Sequence, residues 1–248
     1  MLEVAIIGGT GFSLLKGLTI THREMVNTPY GQASSPLIFG ELGGSKVVFL
    51  ARHGSAHTIA PHQVNYRANL WALKETGVQR VIAIAAVGGI RDDMSPGRIV
   101  FPDQIIDYTW SRRHTYYEDN QEVHHIDFSY PYCDEVRSVL IEGAHKAGLD
   151  PVIDGTYGAT QGPRLETAAE IKRLRNDGCA IVGMTGMPEA SLARELDLCY
   201  ATCAVVANWA AGINEQIITM EEIDANLIQG MSKVRKLLEY SLSNVVSA

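Results

Sequence analysis

Short apolar runs that end in glycine or polar residues recur along the chain. Residues 4–7 are apolar and lead directly into the glycine-rich segment 8–11, which predicts a buried strand followed by a tight loop. Two further runs, 37–41 and 46–50, flank the turn sequence Leu-Gly-Gly-Ser and predict a β-hairpin. Apolar and β-branched composition predicts four more strands, at 80–86, 152–157, 180–182 and 200–207.

Apolar residues near the C-terminal end recur at helical spacing. Five of them lie 4, 4, 3 and 4 residues apart and share the core-facing side of a predicted helix: Ile223, Leu227, Met231, Val234 and Leu238. Pro61 opens a second predicted helix, which ends near residue 76 because glycine follows there. Two more helices are predicted, one from 166 to about 176 and one from Pro188 onward.

Strands that alternate with helices predict an α/β fold with a largely parallel sheet. The sequence holds no low-complexity linker and no internal repeat, so we expect one domain over residues 1–248. Ligands of such sheets bind at the carboxyl ends of the strands. We therefore expect functional residues in the loops that follow Ile7, Leu50, Ala86, Val182 and Val206.

Composition and charge argue against several classes of protein. Of the 248 residues, 46% are hydrophobic and 20% are charged, as in ordinary globular domains, and the net charge of −7 argues against nucleic-acid binding. The longest apolar stretch, 199–212, is interrupted by Asn208 and is too short to span a membrane. No signal peptide is visible, so we expect a cytoplasmic protein.

The cysteines form no C-x-x-C pair, which argues against a zinc ribbon and a thioredoxin motif. We expect four reduced and mostly buried thiols: Cys133, Cys179, Cys199 and Cys203. Because no group of His, Cys and carboxylate residues has the spacing of a metal site, we expect no metal.

The glycine loop at 8–11 differs from the common nucleotide-binding loops. Leu14 stands where a dinucleotide fingerprint requires its third glycine, and no Walker G-x-x-x-x-G-K-[ST] sequence is present. Bare backbone N–H groups and the Thr10 hydroxyl suit a small anion. A purely structural turn fits the same residues.

Three more predicted strand ends offer groups that bind anions. Arg52 and His53 follow the strand at 46–50 and provide a bidentate clamp and a second donor, unless they are an ordinary surface charge and a turn residue. The segments 85–89 and 183–186 expose backbone N–H groups, and the second adds a hydroxyl. Together the four loops predict a site for a small free oxyanion, with phosphate as the first candidate.

The chain resembles the trimeric nucleoside phosphorylases, in particular the branch that acts on 5'-methylthio nucleosides. Seven stretches carry the resemblance in the family's order and span nearly the whole chain: IIGGTGF, ARHGSAHTIAPHQVNYRANLWALKETG, AAVGGIRDDMSPGRIVFPDQIIDYT, HIDFSYP, TQGPRLETAAEI, VGMTGMPEASLARELDLCYA and VVANWAAG. It implies the nucleoside phosphorylase α/β fold, a mixed and mostly parallel sheet that closes toward a distorted barrel and is flanked by helices. It also implies a homotrimer, with a hexamer left open, sites near the subunit interfaces, phosphate as co-substrate and no cofactor.

By similarity to the family, five residues would bind phosphate: Thr10, Arg52, His53, the backbone at Ala86, and Thr185. The methylthioadenosine enzymes usually carry threonine where this chain has Ala85, which removes one hydroxyl from the phosphate site. Met184 would pack under the ribose, and His125 would reach the 5' pocket of a neighbouring subunit. A core methionine and a surface histidine are the structural alternatives.

Two residues bear on the purine base. Asn208 stands where adenine-specific members carry aspartate, and its amide can donate to O6 and accept from a protonated N7 of a 6-oxopurine. A flipped amide can also pair with N6 and N7 of adenine, so Asn208 alone does not decide the base. Glu166 matches the glutamate of the 6-oxopurine phosphorylases, and its carboxylate accepts from an N1–H that adenine lacks. The resemblance assigns Asn208 and His53 to catalysis and Leu165 to the base pocket. A loop cap and a first-turn helix acid are the alternatives for Asn208 and Glu166.

Met220 and Ile223 align with the 5'-binding region, where ordinary purine nucleoside phosphorylases place a histidine. An apolar pair suits a methylthio group, because a buried unpaired hydroxyl costs about 1–3 kcal/mol; the alternative is a core role for both. The two pockets together predict phosphorolysis of S-methyl-5'-thioinosine. A methylthioadenosine phosphorylase, a general 6-oxopurine nucleoside phosphorylase and a non-catalytic purine-binding regulatory subunit stay open. Four residues receive no role: His57, His62, His114 and Trp209.

Overall fold

The computed structural model describes residues 4–12, 17–118, 123–214 and 217–245, with side chains to residue 242. Within these ranges ten strands form one sheet and two short strands form a separate hairpin. The strands are β1 (Val4–Gly8), β2 (Thr19–Glu24), β3 (Asn27–Thr28), β4 (Gly31–Gln32), β5 (Leu37–Leu42), β6 (Ser45–Ala51), β7 (Arg80–Gly89), β8 (Ile99–Val100), β9 (Gln104–Asp107), β10 (Thr156–Ala159), β11 (Cys179–Gly183) and β12 (Cys199–Trp209). The helices are α1 (Tyr66–Glu75), α2 (Asp134–Lys146), α3 (Ala168–Asn176), α4 (Gly186–Glu195) and α5 (Met220–Val245).

Strand β7 is the centre of the large sheet. It pairs in parallel with β1 over 80–83 and with β12 along its whole length, and its last residues, Gly88 and Gly89, pair antiparallel with β11. The pairs β1–β6, β9–β10 and β10–β11 are parallel, whereas β2–β5, β5–β6 and β8–β12 are antiparallel. The mixed and mostly parallel sheet is therefore confirmed, while its closure toward a barrel stays a prediction.

Helices cover both faces of this sheet. On β1, Ala5 and Ile7 belong to one apolar core and Val4 and Ile6 to another, because neighbouring side chains of a strand point to opposite faces. Residues of α1 and α4 pack in the first core, and residues of α2 and α5 pack in the second. The apolar stripe predicted on the last helix is buried there, which confirms its core role. In the described part of the chain, none of the helices has both the length and the apolar character needed to cross a bilayer.

The predicted hairpin is present as β5 and β6. Its turn residues, Gly43 and Gly44, have φ of 58° and 83°, in the left-handed region that glycine adopts without steric cost. The strand predicted at 152–157 is misplaced, because Val152 makes only an isolated bridge and β10 begins at Thr156. Between them Gly155, with φ of 128°, redirects the chain. The other predicted strands are present and extend by a few residues: 4–7, 80–86, 180–182 and 200–207.

Side-chain caps move the predicted start of α1. Pro61 opens a single 3-10 turn rather than the helix itself. The α-helix begins at Tyr66, where the Asn65 side chain accepts a hydrogen bond from the backbone N–H of Ala68. Its end before Gly77, which has φ of 85°, agrees with the prediction.

Helices α3 and α4 also begin at residues that the sequence pattern does not specify. Helix α3 begins at Ala168 instead of 166, because Thr167 and Glu170 form a capping box. Helix α4 begins at Gly186, but Met187 and Pro188 are not helical, so its regular turns follow Pro188 as predicted. Helix α4 starts directly after the loop that follows Val182, which was predicted to hold functional residues. The segment before α3 was not among those loops, although it carries the predicted site residue Glu166.

Helix α2 and strands β2 and β9 are absent from the sequence prediction. The buried residues of α2 include Val136, Leu140 and Ala144, whose spacing of four is the helical signal that could have identified it. Neither β2 nor β9 has an apolar run that would predict a strand, because β2 is exposed along its whole length, β9 is at most half-buried, and neither needs such a run. Their pairing with inner strands decides their structure.

Cys133 and Cys199 form a disulfide, so the expectation of four free thiols is wrong. Their Cα atoms lie 5.1 Å apart although 66 residues separate them in the sequence. The fold brings the start of α2 against the first residue of β12, and no sequence spacing indicates that proximity. Cys179 and Cys203 are free and buried as expected, and burial raises the pKa of the Cys203 thiol to about 12.

Candidate active site

A cavity of about 440 Å³ lies at the carboxyl ends of β1, β6, β7, β11 and β12. These are the strand ends at which a parallel sheet offers a ligand site. Every predicted site residue except His125 lines this cavity: Thr10, Arg52, His53, Ala86, Leu165, Glu166, Met184, Thr185, Asn208, Met220 and Ile223. The fold therefore brings together residues from both ends of the chain.

The glycine loop after β1 lies against the floor of the cavity because it has no side chains there. A Cβ on Gly8 would lie 2.0 Å from the backbone oxygen of Phe12. A Cβ on Gly9 would lie 2.6 Å from the oxygen of Ile84 and 2.9 Å from Nη1 of Arg52. These glycines are required by close approach, and they leave the Thr10 side chain at the cavity wall.

Arg52 is buried beneath the cavity with 1% of its surface exposed. Its Nε and Nη2 donate to the two carboxylate oxygens of Glu189 at 2.6 and 2.7 Å, and its Nη1 donates to the oxygen of Ile84 at 2.9 Å. Burial alone would lower the pKa of Arg52, but the charge and hydrogen bonds of Glu189 raise it above the ordinary value. The guanidinium edge formed by Nε and Nη2 therefore binds Glu189 and is not available for the bidentate anion contact that the sequence predicted.

His53 presents a neutral imidazole to the cavity. Its Nδ1 lies 2.8 Å from the oxygen of Ile59, and because a carbonyl only accepts, Nδ1 carries the proton and Nε2 is an acceptor. The prediction that His53 offers a second donor to an anion is therefore wrong, because Ile59 uses its one N–H. Burial, followed by the charge of Arg52, lowers the pKa of His53 to about 4. The ring of His57, also at the cavity wall, packs edge-on against it at 4.9 Å.

The loop after β11 supplies Met184 and Thr185. The Thr185 backbone N–H donates to the hydroxyl of Tyr157 at 3.4 Å, which ties the loop to β10. Gly162 has φ of 61°, and a Cβ there would lie 2.4 Å from Sδ of Met184. Met184 is therefore held against the 162 loop with its side chain at the cavity, instead of being an ordinary core methionine.

Asn208, Glu166 and Leu165 all line the cavity. The register of β12 shifts between Val206 and Asn208, and Nδ2 of Asn208 donates to the oxygen of Trp209 at 2.7 Å. Glu166 accepts a hydrogen bond from the hydroxyl of Thr160 at 2.6 Å. Because α3 begins at residue 168, Glu166 precedes the helix and is not its first-turn acid.

The first turn of α5 forms an apolar wall of the cavity. Met220 is its first residue and is 62% exposed, whereas Ile223, one turn later, is 8% exposed. Ile218 and Leu227 line the same wall. A pure core role for Met220 is therefore excluded, and both predicted residues face the space where a ligand would lie.

Several predicted or unassigned residues lie away from this cavity. His125 is exposed and does not line it in the single chain, so its role toward a neighbouring subunit stays a prediction. His62 and His114 are exposed as well, and Trp209 is not among the residues that line the cavity. His57 is the residue without a predicted role that the structure brings into the site.

Cys133, Cys199 and Glu135 lie close enough to be considered as metal ligands. The two sulfurs are joined in the disulfide, and Glu135 accepts a hydrogen bond from Arg80 at 2.5 Å. A disulfide offers no thiolate, so these three residues do not have the chemistry of a zinc site. In the ranges that the structure describes, no other such trio is found.

Comparisons with known proteins agree with this geometry. The family description "Phosphorylase superfamily" matches residues 3–243. A probable S-methyl-5'-thioinosine phosphorylase of Pseudomonas syringae pv. tomato is 52% identical over 98% of this chain and 99% of its own length. A probable 6-oxopurine nucleoside phosphorylase of Thermococcus kodakarensis is 44% identical over 96% of this chain and 91% of its own.

Among solved structures, methylthioadenosine phosphorylase from Schistosoma mansoni in complex with adenine superposes with a TM-score of 0.94 at 31% identity. The superposition covers 100% of this chain and 93% of that one. Because the family match extends over nearly the whole sequence, this chain belongs to the phosphorylase superfamily.

Proposed function

We propose that this protein catalyses the phosphorolysis of S-methyl-5'-thioinosine to hypoxanthine and 5-methylthioribose 1-phosphate. The observation that carries the proposal is a single cavity that combines oxyanion donors, a carboxylate with an amide, and an apolar wall. The printed name of the Pseudomonas relative, at 52% identity over nearly the full length, supports the same reaction.

In the proposed reaction, a phosphate oxygen attacks the anomeric carbon of the ribose while the bond to N9 of the purine breaks. The purine leaves with the bonding electrons, so the transition state is cationic at the sugar and anionic at the base. The proton that hydrogen phosphate loses when it becomes the sugar phosphate ester ends on the purine, which balances the reaction. Thr10, Arg52 and Thr185 hold phosphate beside that carbon, which removes translational freedom and places negative charge against the cation. The Ala86 backbone completes the phosphate subsite together with His53, whose Nε2 accepts from the hydroxyl of hydrogen phosphate.

Asn208 and Glu166 are proposed to select a 6-oxopurine. The Asn208 amide accepts from the protonated N7 and donates to O6, which stabilises the leaving base as it gains negative charge. The Glu166 carboxylate accepts from N1–H, and its Thr160 contact holds it at the cavity wall. Adenine has a lone pair at N1, which a carboxylate repels.

Met220 and Ile223 are proposed to receive the methylthio group, with Met184 under the ribose. Burial of a sulfur and a methyl group against an apolar wall is favourable, whereas a 5'-hydroxyl would find no partner on that wall.

A general 6-oxopurine nucleoside phosphorylase is the second candidate. The observation that favours it is the 62% exposure of Met220, which leaves the 5' end of the cavity open in one chain. The Thermococcus relative carries that name.

We also propose a homotrimer with active sites near the interfaces, in which His125 of one subunit closes the 5' pocket of the next. His125 is exposed and available for such a contact. Phosphate acts as co-substrate, no further cofactor is proposed, and a cytoplasmic location stays a prediction from the sequence.

The test is phosphate-dependent base release from S-methyl-5'-thioinosine, S-methyl-5'-thioadenosine and inosine, measured side by side in one buffer. A preference for methylthioinosine supports both pocket assignments. A preference for methylthioadenosine contradicts the roles of Asn208 and Glu166. Equal rates with inosine contradict the role of Met220 and Ile223, and the absence of phosphate consumption with every nucleoside favours a non-catalytic binding protein.

A further inference from the structure

Glu189 lies directly beneath the proposed phosphate subsite and belongs to none of the residues expected to touch substrate. We propose that Glu189 is a positioning residue for phosphate: it fixes the guanidinium of Arg52 so that the N–H groups left over point to the oxyanion. The inference rests on the proposed function, because it requires phosphate as co-substrate. Neither member of the pair is accessible to solvent, with exposures of 0% and 1%.

The hydrogen bonds of Arg52 account for most of its donors. A guanidinium has five N–H groups, and three of them are used by Glu189 and by the backbone oxygen of Ile84. One N–H on Nη1 and one on Nη2 are left for a ligand. Because the guanidinium is planar and rigid, the two bonds to Glu189 determine the direction of both remaining groups.

Glu189 is itself held from a second side. The hydroxyl of Tyr200 donates to Oε1 of Glu189 at 2.8 Å, and the hydroxyl of Thr202 lies 3.4 Å from that of Tyr200. Glu189 also lies in the first turn of α4, where the helix dipole favours a carboxylate. The carboxylate is therefore fixed by β12, which contributes Asn208 to the cavity, and by α4, which begins directly after the lining residue Thr185.

The backbone of Gly9 packs against the guanidinium of Arg52, in addition to Glu189 and the oxygen of Ile84. A Cβ at that position would lie 2.9 Å from Nη1, so the loop that carries Thr10 packs directly on the guanidinium. Glu189, the Ile84 oxygen and the Gly9 backbone thus surround Arg52 in a way that permits one orientation. An arginine that is oriented before the ligand arrives loses less conformational entropy on binding.

The charges around Arg52 distinguish a positioning role of Glu189 from a role in which Glu189 only neutralises Arg52. Arg52 and Glu189 cancel one another, and the adjacent His53 imidazole is neutral with its proton on Nδ1. The subsite therefore binds an anion through directed donors instead of net positive charge. If Glu189 only neutralised Arg52, its removal would strengthen phosphate binding, whereas loss of positioning would weaken it.

The experiment compares Glu189→Gln and Tyr200→Phe with the wild type in steady-state phosphorolysis. Glutamine has the size of glutamate but can accept only one of the two N–H groups of Arg52. We expect Glu189→Gln to raise the KM for phosphate at least 10-fold while the KM for the nucleoside changes less than 2-fold. Tyr200→Phe keeps the ring and removes one hydrogen bond, and we expect a 3-fold rise in the KM for phosphate.

Leu140→Ala in α2 is the control for lost stability, because this fully buried residue lies outside the cavity lining. It should leave both KM values unchanged. The proposal is overturned if Glu189→Gln lowers or preserves the KM for phosphate, or raises both KM values together. Should Glu189→Gln not fold, an unchanged KM for phosphate in Tyr200→Phe overturns it as well. A wild type that consumes no phosphate would instead contradict the proposed function.

Discussion

Single hydrogen-bonding groups decide the chemistry at the residue scale. Nδ2 of Asn208 donates to the oxygen of Trp209, and Nδ1 of His53 donates to the oxygen of Ile59. The backbone fixes both side chains before a ligand arrives, so the orientation of each is a property of the fold. Two predictions concern these residues.

The first prediction concerns the choice of base. Asn208→Asp introduces an oxygen that can be protonated and can donate to N7, while it removes the NH₂ that favours O6. We expect the ratio of kcat/KM for methylthioadenosine to that for methylthioinosine to rise at least about 10-fold, since polar mismatches in such sites discriminate strongly. An unchanged ratio in a folded variant would contradict the assignment of Asn208.

The second prediction concerns acid stability. The pKa of His53 is about 4 in the folded protein and about 6.5 when unfolded, so the unfolded chain binds more protons between these values. The stability contribution of neutral His53 is complete above pH 6.5 and is lost as the pH falls toward 4, by up to about 3 kcal/mol.

His53→Gln keeps a polar side chain but cannot titrate, so the variant should lose less stability than the wild type between pH 7 and 4.5. Urea unfolding at both pH values measures the difference. Equal losses in the two proteins would show that His53 is not held neutral. Carboxylates also change stability with pH; the hydrogen bond from Arg164, for example, lowers the pKa of Glu170 to about 2. Because these carboxylates are present in both proteins, their contribution cancels in the comparison.

At the element scale, the cavity depends on where strands and helices end. The loop after β1 can pack on Arg52 because Gly9 has no side chain, and the start of α5 supplies the apolar wall. Helix α4 places Glu189 against Arg52. Changes at these junctions should therefore alter activity more than they alter the fold.

Gly9→Ala tests the glycine loop. The added methyl would lie 2.6 Å from the oxygen of Ile84 and would displace Arg52 or the loop. Because a shift of about 1 Å can cost about 100-fold in rate, we expect kcat/KM for phosphate to fall by that order. Gly148→Ala is the control for lost stability without a clash, since its φ of 71° strains an alanine while no atom lies within 4 Å of its Cβ position and the residue is outside the cavity. Equal activity of the two variants would contradict the steric argument.

The disulfide joins α2 to β12 and should stabilise both. The chain-entropy relation gives about 4 kcal/mol for a loop of this length. We expect the double variant Cys133→Ser, Cys199→Ser to lose stability of that order in urea unfolding, and wild type under reductant to behave like it. Reductant should leave the double variant unaffected. If reductant also fails to change the wild type, the two cysteines are not bonded in solution.

At the scale of the whole molecule, one chain leaves part of the cavity open. Met220 is 62% exposed at the end of the cavity that we propose for the 5' group, and His125 is exposed and does not line the cavity of its own chain. We predict a trimer of the 27.1-kDa chain in analytical ultracentrifugation. His125→Ala should raise the KM for the methylthio nucleoside about 5-fold, a loss of about 1 kcal/mol, with the KM for phosphate unchanged. A monomer with full activity would contradict this assembly.

The sequence by itself determined the strand ends, their glycine loops and the helical stripe of α5. Those features follow from local rules, because strand and helix periodicity and glycine backbone freedom act over a few residues. The family resemblance added the residue roles, and all but His125 meet in one cavity.

Only the tertiary structure decided the long-range pairs. Arg52 and Glu189 are 137 positions apart, and Cys133 and Cys199 are 66 apart. Nothing in the local pattern relates such residues, because their contact depends on how β12 and α4 pack against the other strands. The same packing buries Arg52 and keeps His53 neutral. It also determines the direction in which the hydrogen-bond donors predicted from the sequence point.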